Sequence, residues 1–290
     1  MNILEQLSNN NKENYKSYLD MMSDSINRSS KGLIPLYAKK CKRILDVGCG
    51  SGILIQTISN LNPQAYIHGI DLNSNALDIC NKKFSSNINI NFTKAKIEDL
   101  FLYDEGFDCI IFSSVLHEIS SYSDDPNLPK YTDKPIISAI NAAYNLLNKR
   151  GKLIIRDGIR SYDDDKVKFR FVDEKMGNYY FHRFKNEYHT TTDSFLINGE
   201  NVYGGKFKDI KEFLYTYTWS EESWDREVQE QFGILSINEW IDIVNKKFAI
   251  KSLSINSDDY VKYLREKITI DDALEKLLSD MTILIVAEKL

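Results

Sequence analysis

Hydrophobic and polar positions alternate along the chain in a way that predicts strands and helices in turn. The apolar run from Arg43 to Val47 ends at a group of glycines, and apolar residues between Ile53 and Leu61 then recur on one helical face. Four more segments have the length and composition of strands: Tyr66 to Ile70, Ile88 to Lys94, Cys109 to Phe112 and Lys152 to Arg156. This order predicts a parallel sheet with helices on both faces.

The alternation stops between Ser161 and Leu235, where aromatic and charged residues cluster without a regular period. We interpret this segment as an inserted cap. Periodic segments return after it, and they predict a helix at Ile237 to Asn245 and strands at Phe248 to Ile255 and Thr282 to Ala287. The expected fold is therefore α/β, with a doubly wound, mostly parallel seven-stranded sheet and helices on both faces.

The first thirty residues are mostly polar, and five of their apolar residues recur at roughly helical spacing: Tyr15, Tyr18, Leu19, Met22 and Ile26. They predict an amphipathic helix that lies over the rest of the protein as a lid. The expected organisation is a helical lid at 1–32, a core formed by 33–160 and 236–290, and the cap at 161–235.

The composition is that of a soluble globular chain, because 42% of the 290 residues are hydrophobic and 27% are charged. The formal net charge of −5 provides no basic field for holding a polyanion. The four cysteines are dispersed, which indicates neither a disulfide framework nor a zinc site. With no long apolar stretch and no signal-peptide pattern in the sequence, we expect a cytoplasmic protein without membrane contact.

Glycines at positions 48, 50 and 52 separate the first strand from its helix, and they let the backbone turn sharply beside a ligand. The start of that helix offers N–H groups to an anionic group. Asp71 ends the second strand, where a carboxylate accepts hydrogen bonds from both hydroxyls of a ribose. The two features together predict a nucleoside-containing cofactor.

The string from Ile44 to Gly52 resembles motif I of the class I S-adenosylmethionine-dependent methyltransferases. Its glycine spacing is G-x-G-x-G, whereas the dinucleotide fingerprint requires G-x-G-x-x-G. The likeness continues through Ile97 to Leu100 after the third strand and Phe107 to His117 at the fourth, so that it covers about two-thirds of the chain. The cofactor that it implies is S-adenosyl-L-methionine.

The resemblance also implies roles for individual residues. Gly48 and Gly50 shape the loop around the methionine moiety, Asp46 orients that loop or the amino group, and Asp71 holds the ribose. Ile97 packs on the adenine, and Ser113 lies beside the methionine end. Where many members of the family have an acidic residue before the adenine-packing position, this chain has Lys96, so Glu98 or a water is expected to replace that acid.

Two residues beyond the strand ends are candidates for catalysis. His117 follows the fourth strand and Asp157 ends the fifth, and open sheets place their ligands at these ends. The segment from Arg156 into the cap mixes cations with flat rings, and we expect four of its residues to bind substrate: Arg156, His182, Arg183 and Tyr215. No metal is expected, because Ser113 and Ser114 stand where metal-dependent relatives carry carboxylates.

The predicted function is methyl transfer to an oxygen or nitrogen nucleophile of a small molecule or peptide. Structured RNA is an alternative acceptor, although the motif that grips a flipped base is missing after the fourth strand. Two alternatives come from other classes: a silent S-adenosylmethionine-binding scaffold and a NAD-dependent oxidoreductase. The sequence does not indicate the oligomeric state.

Overall fold

The computed structural model describes residues 29–100, 106–190, 192–197, 199, 201–219, 221–257 and 260–290. The predicted lid at 1–32 therefore lies outside the described residues, except for its last four. There the chain forms a short 3-10 helix at Ser30–Leu33, which is capped by Ser29.

The described residues form ten strands in two sheets. In chain order the strands are β1 (Arg43–Val47), β2 (Tyr66–Asp71), β3 (Ile90–Lys94), β4 (Phe107–Ser113), β5 (Leu147–Gly158), β6 (Lys166–Phe169), β7 (Leu196–Ile197), β8 (Tyr203–Lys206), β9 (Phe248–Asn256) and β10 (Thr282–Lys289). The larger sheet has seven strands in the order β3-β2-β1-β4-β5-β10-β9, and the smaller one has the order β6-β8-β7.

Pairing in the larger sheet is parallel from β3 to β5, and only β10 runs antiparallel to its neighbours β5 and β9. The predicted mostly parallel sheet of seven strands is therefore confirmed. Strand order reverses between β1 and β4, so the connections that leave these two strands diverge to opposite sides. Open α/β sheets bind ligands in the crevice that such a reversal creates.

Helices cover the larger sheet, and others pack with the smaller sheet in the segment predicted as a cap, residues 161–235, which we call the insertion. In chain order they are α1 (Ile34–Ala38), α2 (Ile53–Leu61), α3 (Ser74–Lys83), α4 (Leu116–Ser121), α5 (Asp133–Leu146), α6 (Glu174–Glu187), α7 (Phe207–Thr218), α8 (Trp224–Glu227), α9 (Ile237–Asn245), α10 (Tyr260–Arg265) and α11 (Asp272–Leu277). In the described part of the chain, none of them is long and apolar enough to cross a bilayer.

Local sequence explains where several of these helices begin. The Asn73 side chain caps α3 by accepting a hydrogen bond from the N–H of Asn75 at 2.9 Å. Ser236 and Glu239 form a capping box at the start of α9. Gly52, which precedes α2, has a left-handed backbone and no side chain to cap the helix. The open N-terminus of α2 therefore faces the crevice.

The insertion has an aromatic core of its own, in which Phe169, Phe181 and Phe213 are all buried. This core also contains Leu264 and Leu274 from α10 and α11, helices that the sequence assigned to the methyltransferase-like core. Periodicity alone could not reveal this packing, because an apolar helical face does not specify which surface covers it. The insertion is thus completed by residues that lie well beyond its end in the sequence.

A buried tyrosine ties the insertion to the main sheet. Tyr215 on α7 accepts a hydrogen bond at its hydroxyl from the N–H of Ile159 at 3.1 Å and donates to the carbonyl of Met281. Both partners are backbone groups beside β5 and β10, and Tyr215 is fully buried. The hydroxyl therefore satisfies polar backbone at a position that no water reaches.

We expect Tyr215→Phe to lower the free energy of unfolding by about 1 to 3 kcal/mol, because it leaves buried backbone groups without a partner. Urea denaturation measures this loss. Affinity for a ligand of the main crevice should stay within about twofold of the wild type. A variant of unchanged stability with weakened ligand binding would contradict this structural role.

Candidate functional site

The turn between β1 and α2 carries three glycines with positive φ: Gly48 at 70°, Gly50 at 50° and Gly52 at 71°. A Cβ at Gly48 would lie 2.4 Å from Cγ2 of Val115, and one at Gly52 would lie 2.8 Å from the ring of Phe84. A Cβ at Gly50 would meet no atom within 4 Å. The outer glycines are thus required for packing, while Gly50 faces open space.

The carboxylate of Asp71 holds this turn from the end of β2. Its Oδ2 accepts a hydrogen bond from the N–H of Gly50 at 2.9 Å, and its Oδ1 accepts one from the N–H of Asn73 at 2.8 Å. Burial raises the pKa of Asp71, and the N–H groups of Asn73, Gly50 and Leu72 oppose the rise. A carboxylate has about four lone-pair positions, so acceptor capacity remains for hydroxyl groups of a ligand.

A cavity of about 400 Å³ opens in front of the turn. All seven residues that the sequence predicts to contact the cofactor line this one cavity, although they come from β1, β2, β4 and the loops beyond them. They are Asp46, Gly48, Gly50, Asp71, Ile97, Glu98 and Ser113.

Asp46 and Lys31 face each other across the cavity. Burial and the neighbouring Asp71 raise the pKa of Asp46 to about 7, and the Lys31 ammonium opposes that rise. Lys31 lies in the 3-10 helix before α1 and lines the cavity while only 9% exposed. Sequence reasoning missed Lys31, because its segment carried no motif.

Beneath the cavity, His117 bridges two buried carboxylates. Its Nδ1 lies 2.5 Å from Oδ1 of Asp157, and its Nε2 lies 3.3 Å from Oε2 of Glu230. Burial by itself lowers the pKa of His117, but the two carboxylates raise it well above its ordinary value. Oδ2 of Asp157 also accepts a hydrogen bond from the N–H of Leu116 at 2.8 Å, at the start of α4. The two candidates for catalysis, His117 and Asp157, are therefore in contact with each other, but neither lines the cavity.

The cavity wall next to this pair is formed by Glu118, Tyr122 and Arg226, which the sequence analysis did not select. Burial and Glu230 raise the pKa of Glu118 to about 8. The Tyr122 hydroxyl donates to Oε1 of Glu230 at 3.0 Å, and Arg226 contacts Glu227. We name these three residues the acceptor wall. Glu118 and Tyr122 are four residues apart on one side of α4, a spacing that the sequence did contain.

His117, Glu118 and Glu230 also place potential metal-ligand atoms within 4.8 Å of one another. Both ring nitrogens of His117 already face carboxylates, and Arg226 lies 3.8 Å from Glu230. The His117 ring and the Arg226 guanidinium thus place positive charge among these carboxylates, which is the charge that a metal ion would bring. We therefore assign no metal ligands to this group of residues.

The four residues predicted to bind substrate do not line the cavity. Arg156 donates to the hydroxyls of Ser30 and Ser114, and Tyr215 is the buried tie described above. Arg183 pairs with Glu187 and Asp225, and His182 is exposed on α6. Aromatic and cationic composition did not distinguish a binding surface from the core and ion pairs of the insertion.

The fold, the glycine turn and the acid at the end of β2 define a nucleoside-binding α/β protein. Residues 38–195, more than half of the chain, match a family described as a methyltransferase domain. The chain belongs to the methyltransferase domain family. This confirms the predicted class of S-adenosylmethionine-dependent methyltransferases and its cofactor, and the oxidoreductase alternative receives no support.

Curated relatives share part of the sequence. A malonyl-[acyl-carrier protein] O-methyltransferase of Priestia megaterium is 25% identical over 119 residues, which cover 41% of this chain and 43% of the relative. A ubiquinone biosynthesis O-methyltransferase of Glaesserella parasuis is 32% identical over 120 residues, with 39% of this chain and 44% of the relative covered. The chain thus spans less than half the length of each.

Solved structures resemble the fold at low sequence identity. The plantazolicin methyltransferase BpumL in complex with SAH is 16% identical, with a TM-score of 0.52 and coverage of 96% of this chain and 90% of that one. The pyocyanin biosynthetic protein PhzM is 10% identical, with a TM-score of 0.50 and coverage of 91% and 55%. At these identities the likeness shows the fold alone.

Alanine at two of the glycines should separate folding from binding. We expect Gly48→Ala to lower the free energy of unfolding by about 2 to 4 kcal/mol, because its methyl meets Val115 on a left-handed backbone. Gly50→Ala should cost only about 1 to 2 kcal/mol from the backbone, yet weaken S-adenosylmethionine binding about tenfold or more, because its methyl enters the cavity. Urea denaturation and calorimetric titration measure the two effects. Equal donor affinity in Gly50→Ala and wild type would contradict this placement.

The free energy of unfolding should fall as the pH rises from 6 to 8. Burial raises the pKa of Glu118 to about 8 and that of Glu227 to about 7, so the folded state keeps protons that the unfolded state releases. His117, whose pKa is also raised, contributes stability that is present below its unfolded pKa and is lost at higher pH. Each such proton gives a slope of about 1.4 kcal/mol per pH unit. Urea denaturation at several pH values measures the free energy of unfolding.

The matched control for this prediction replaces a half-buried and an exposed glutamate in the same way. Glu118→Gln should make the pH dependence shallower, whereas Glu222→Gln, at an exposed position of the insertion, should leave it unchanged. Stability that is constant or increases between pH 6 and 8 would count against the assignment of protons to this cluster.

Proposed function

We propose that this protein transfers a methyl group from S-adenosylmethionine to an oxygen or nitrogen nucleophile of a small molecule or peptide. One observation carries the proposal: seven residues chosen from sequence as donor contacts line a single cavity of about 400 Å³. The open space at Gly50 and the spare lone pairs of Asp71 fit a nucleoside with an amino-acid tail.

In this proposal the donor is held by groups from both sides of the strand reversal. Asp71 accepts hydrogen bonds from the ribose hydroxyls while it keeps the N–H of Gly50 in place. Ile97, only 2% exposed, packs on the adenine, and Glu98 accepts from its exocyclic amine. Asp46 and Lys31 provide opposite charges for the amino and carboxylate groups of the tail.

The donor supplies an activated methyl group on a sulfonium sulfur, which leaves as a neutral thioether. The remaining task of the protein is to align a nucleophile with that methyl group, to exclude water and to receive a proton where the nucleophile carries one. We assign contact with the acceptor to Glu118, Tyr122 and Arg226. Arg226 comes from the insertion, so the insertion contributes directly to the cavity wall.

His117 and Asp157 act in this proposal as positioning residues. Since both ring nitrogens of His117 face carboxylates, the imidazole is not available to take a proton from an acceptor. Asp157 binds the first N–H groups of α4 and thereby fixes the helix that carries Glu118 and Tyr122. Their loss would displace the acceptor wall.

The printed names of the two curated relatives point to oxygen as the methylated atom in those proteins. Their partial coverage leaves the acceptor of this chain to be proposed from its own cavity. The cavity is open and continues to the insertion, which favours an enzyme over a silent scaffold. Its lining has more acidic than basic residues, which disfavours structured RNA as the acceptor.

Asp71→Ala should weaken binding of S-adenosylmethionine by about 1 to 3 kcal/mol, because the ribose hydroxyls lose their acceptor and Gly50 loses its tether. Calorimetric titration measures the affinity, and urea denaturation shows that the variant is folded. Asp164→Ala, at an exposed position in the insertion, is the matched control and should bind like wild type. If Asp71→Ala bound the donor as tightly as wild type does, the ribose would have to lie elsewhere.

The reaction itself is tested by incubating the protein and methyl-labelled S-adenosylmethionine with fractionated cell extract. We expect label in small molecules or peptides, and about tenfold less at a subsaturating donor concentration with Gly50→Ala, whose donor affinity is reduced by that factor. Label confined to RNA would refute the proposed acceptor class. Absence of both donor binding and transfer would refute the proposed function.

A further inference from the structure

On the basis of the proposed function, we propose that the acceptor is an amine that binds in its protonated form, with the carboxylate of Glu118 as its counter-ion and proton acceptor. The proposal specifies nitrogen rather than oxygen as the methylated atom. It rests on the charges of the cavity lining, on the ion pairs that those charges make and on the position of Glu118.

The cavity lining is strongly acidic. Among the described residues, seven carboxyl groups and three cationic side chains line it. A donor with one net positive charge reduces this excess only in part. A cationic second ligand is therefore favoured by the field of the cavity, and an anionic one is repelled.

The three cations already lie beside carboxylates. Arg226 contacts Glu227 and lies 3.8 Å from Glu230, and Lys96 lies 2.7 Å from Asp124. The ammonium of Lys31 lies near enough to Asp46 to lower the pKa of that carboxyl group. In the proposed function the carboxylate of the donor's tail takes up Lys31. A carboxylate-bearing acceptor would have to displace one of the remaining partners before it gained a cation, so the lining provides no second anion site for the acceptor.

Glu118 stands apart from these pairs. Its side chain makes no hydrogen bond or ion pair within the part of the chain that the structure describes, and it lines the cavity beside Tyr122 and Arg226. Burial and repulsion by Glu230 raise its pKa to about 8, and the charges of Arg226 and His117 oppose the rise. A half-buried carboxyl group of this kind is stabilised by an incoming positive charge.

The chemistry of an ammonium acceptor balances at this position. The ammonium nitrogen transfers one proton to Glu118, which leaves a neutral amine with a free electron pair. That pair forms the N–C bond as the C–S bond breaks, so that the positive charge moves to the methylated amine and the sulfur leaves as a thioether. A carboxyl group with a raised pKa lies closer to the pKa of an ammonium than an ordinary glutamate does, which eases this transfer.

Three nucleoside ligands test the ammonium site by calorimetric titration: S-adenosylmethionine, S-adenosylhomocysteine and sinefungin. Sinefungin places an amino group on a carbon where the donor carries its methylated sulfur, so its ammonium reaches the acceptor end of the cavity. We expect wild type to bind sinefungin about tenfold or more tighter than S-adenosylhomocysteine, and Glu118→Gln to reduce this ratio to about threefold or less.

Glu98→Gln is the matched control, since Glu98 lines the same cavity at the end assigned to adenine. It should change the affinities for all three ligands by similar factors and preserve the sinefungin ratio. Thermal unfolding verifies that each variant is folded. Should Glu118→Gln fail to fold, Glu118→Asp keeps a carboxylate but shortens the side chain by one methylene group, which moves the charge away from the ligand. A reduced ratio of sinefungin to S-adenosylhomocysteine affinity is expected for this variant as well.

The outcomes separate this inference from the proposed function. Wild type could bind sinefungin and S-adenosylhomocysteine equally well, or Glu118→Gln could leave the ratio of the two affinities unchanged. Either result would overturn the proposal of an amine acceptor without affecting the proposal that the donor binds in this cavity. Failure of all three ligands to bind would overturn the proposed function itself. In the labelled extract, methyl groups on nitrogen support the inference, and methyl groups on hydroxyl or carboxylate oxygen overturn it.

Discussion

The hydrogen bond from the N–H of Gly50 to the carboxylate of Asp71 is the interaction on which the donor end of the cavity depends. It joins the turn after β1 to the end of β2, which are adjacent only because the two strands pair in parallel. The left-handed glycines make the turn possible, and the carboxylate holds it in place. A single side chain thus supports the loop while it keeps acceptor capacity for a ribose.

A second constraint acts between the main sheet and the insertion. The buried His117, Glu227 and Glu230 and the half-buried Glu118 are tolerated side by side because positive and negative charges are interleaved and two of the acids have raised pKa values. Cations and acids from β5, α4 and the insertion must all be present for this balance to hold. The acceptor wall is therefore stable only when the insertion is docked on the sheet, which couples the shape of the cavity to the fold of both parts.

The donor half of this arrangement could be predicted from the sequence because its determinants are local. The determinants are three glycines within five residues, an acid inside β1 and another acid at the end of β2. These short motifs directly indicate a backbone conformation and a position for ligand contacts. The acceptor half could not be predicted in this way. Arg226 and Glu230 reach Tyr122 across more than a hundred positions, and Tyr215 looked like a ligand contact although its hydroxyl binds the backbone at Ile159 and Met281.

By itself the sequence determined the alternation of strands and helices in the main sheet, its seven strands and the class of cofactor, since periodicity and short-range motifs encode them. Only the tertiary structure decided which charged and aromatic residues face the cavity. The same residue types serve as core, ion pair or binding surface according to what packs against them. His117 illustrates the difference. Its position after β4 could be predicted from the sequence, but its location between Asp157 and Glu230 depends on the docking of the insertion.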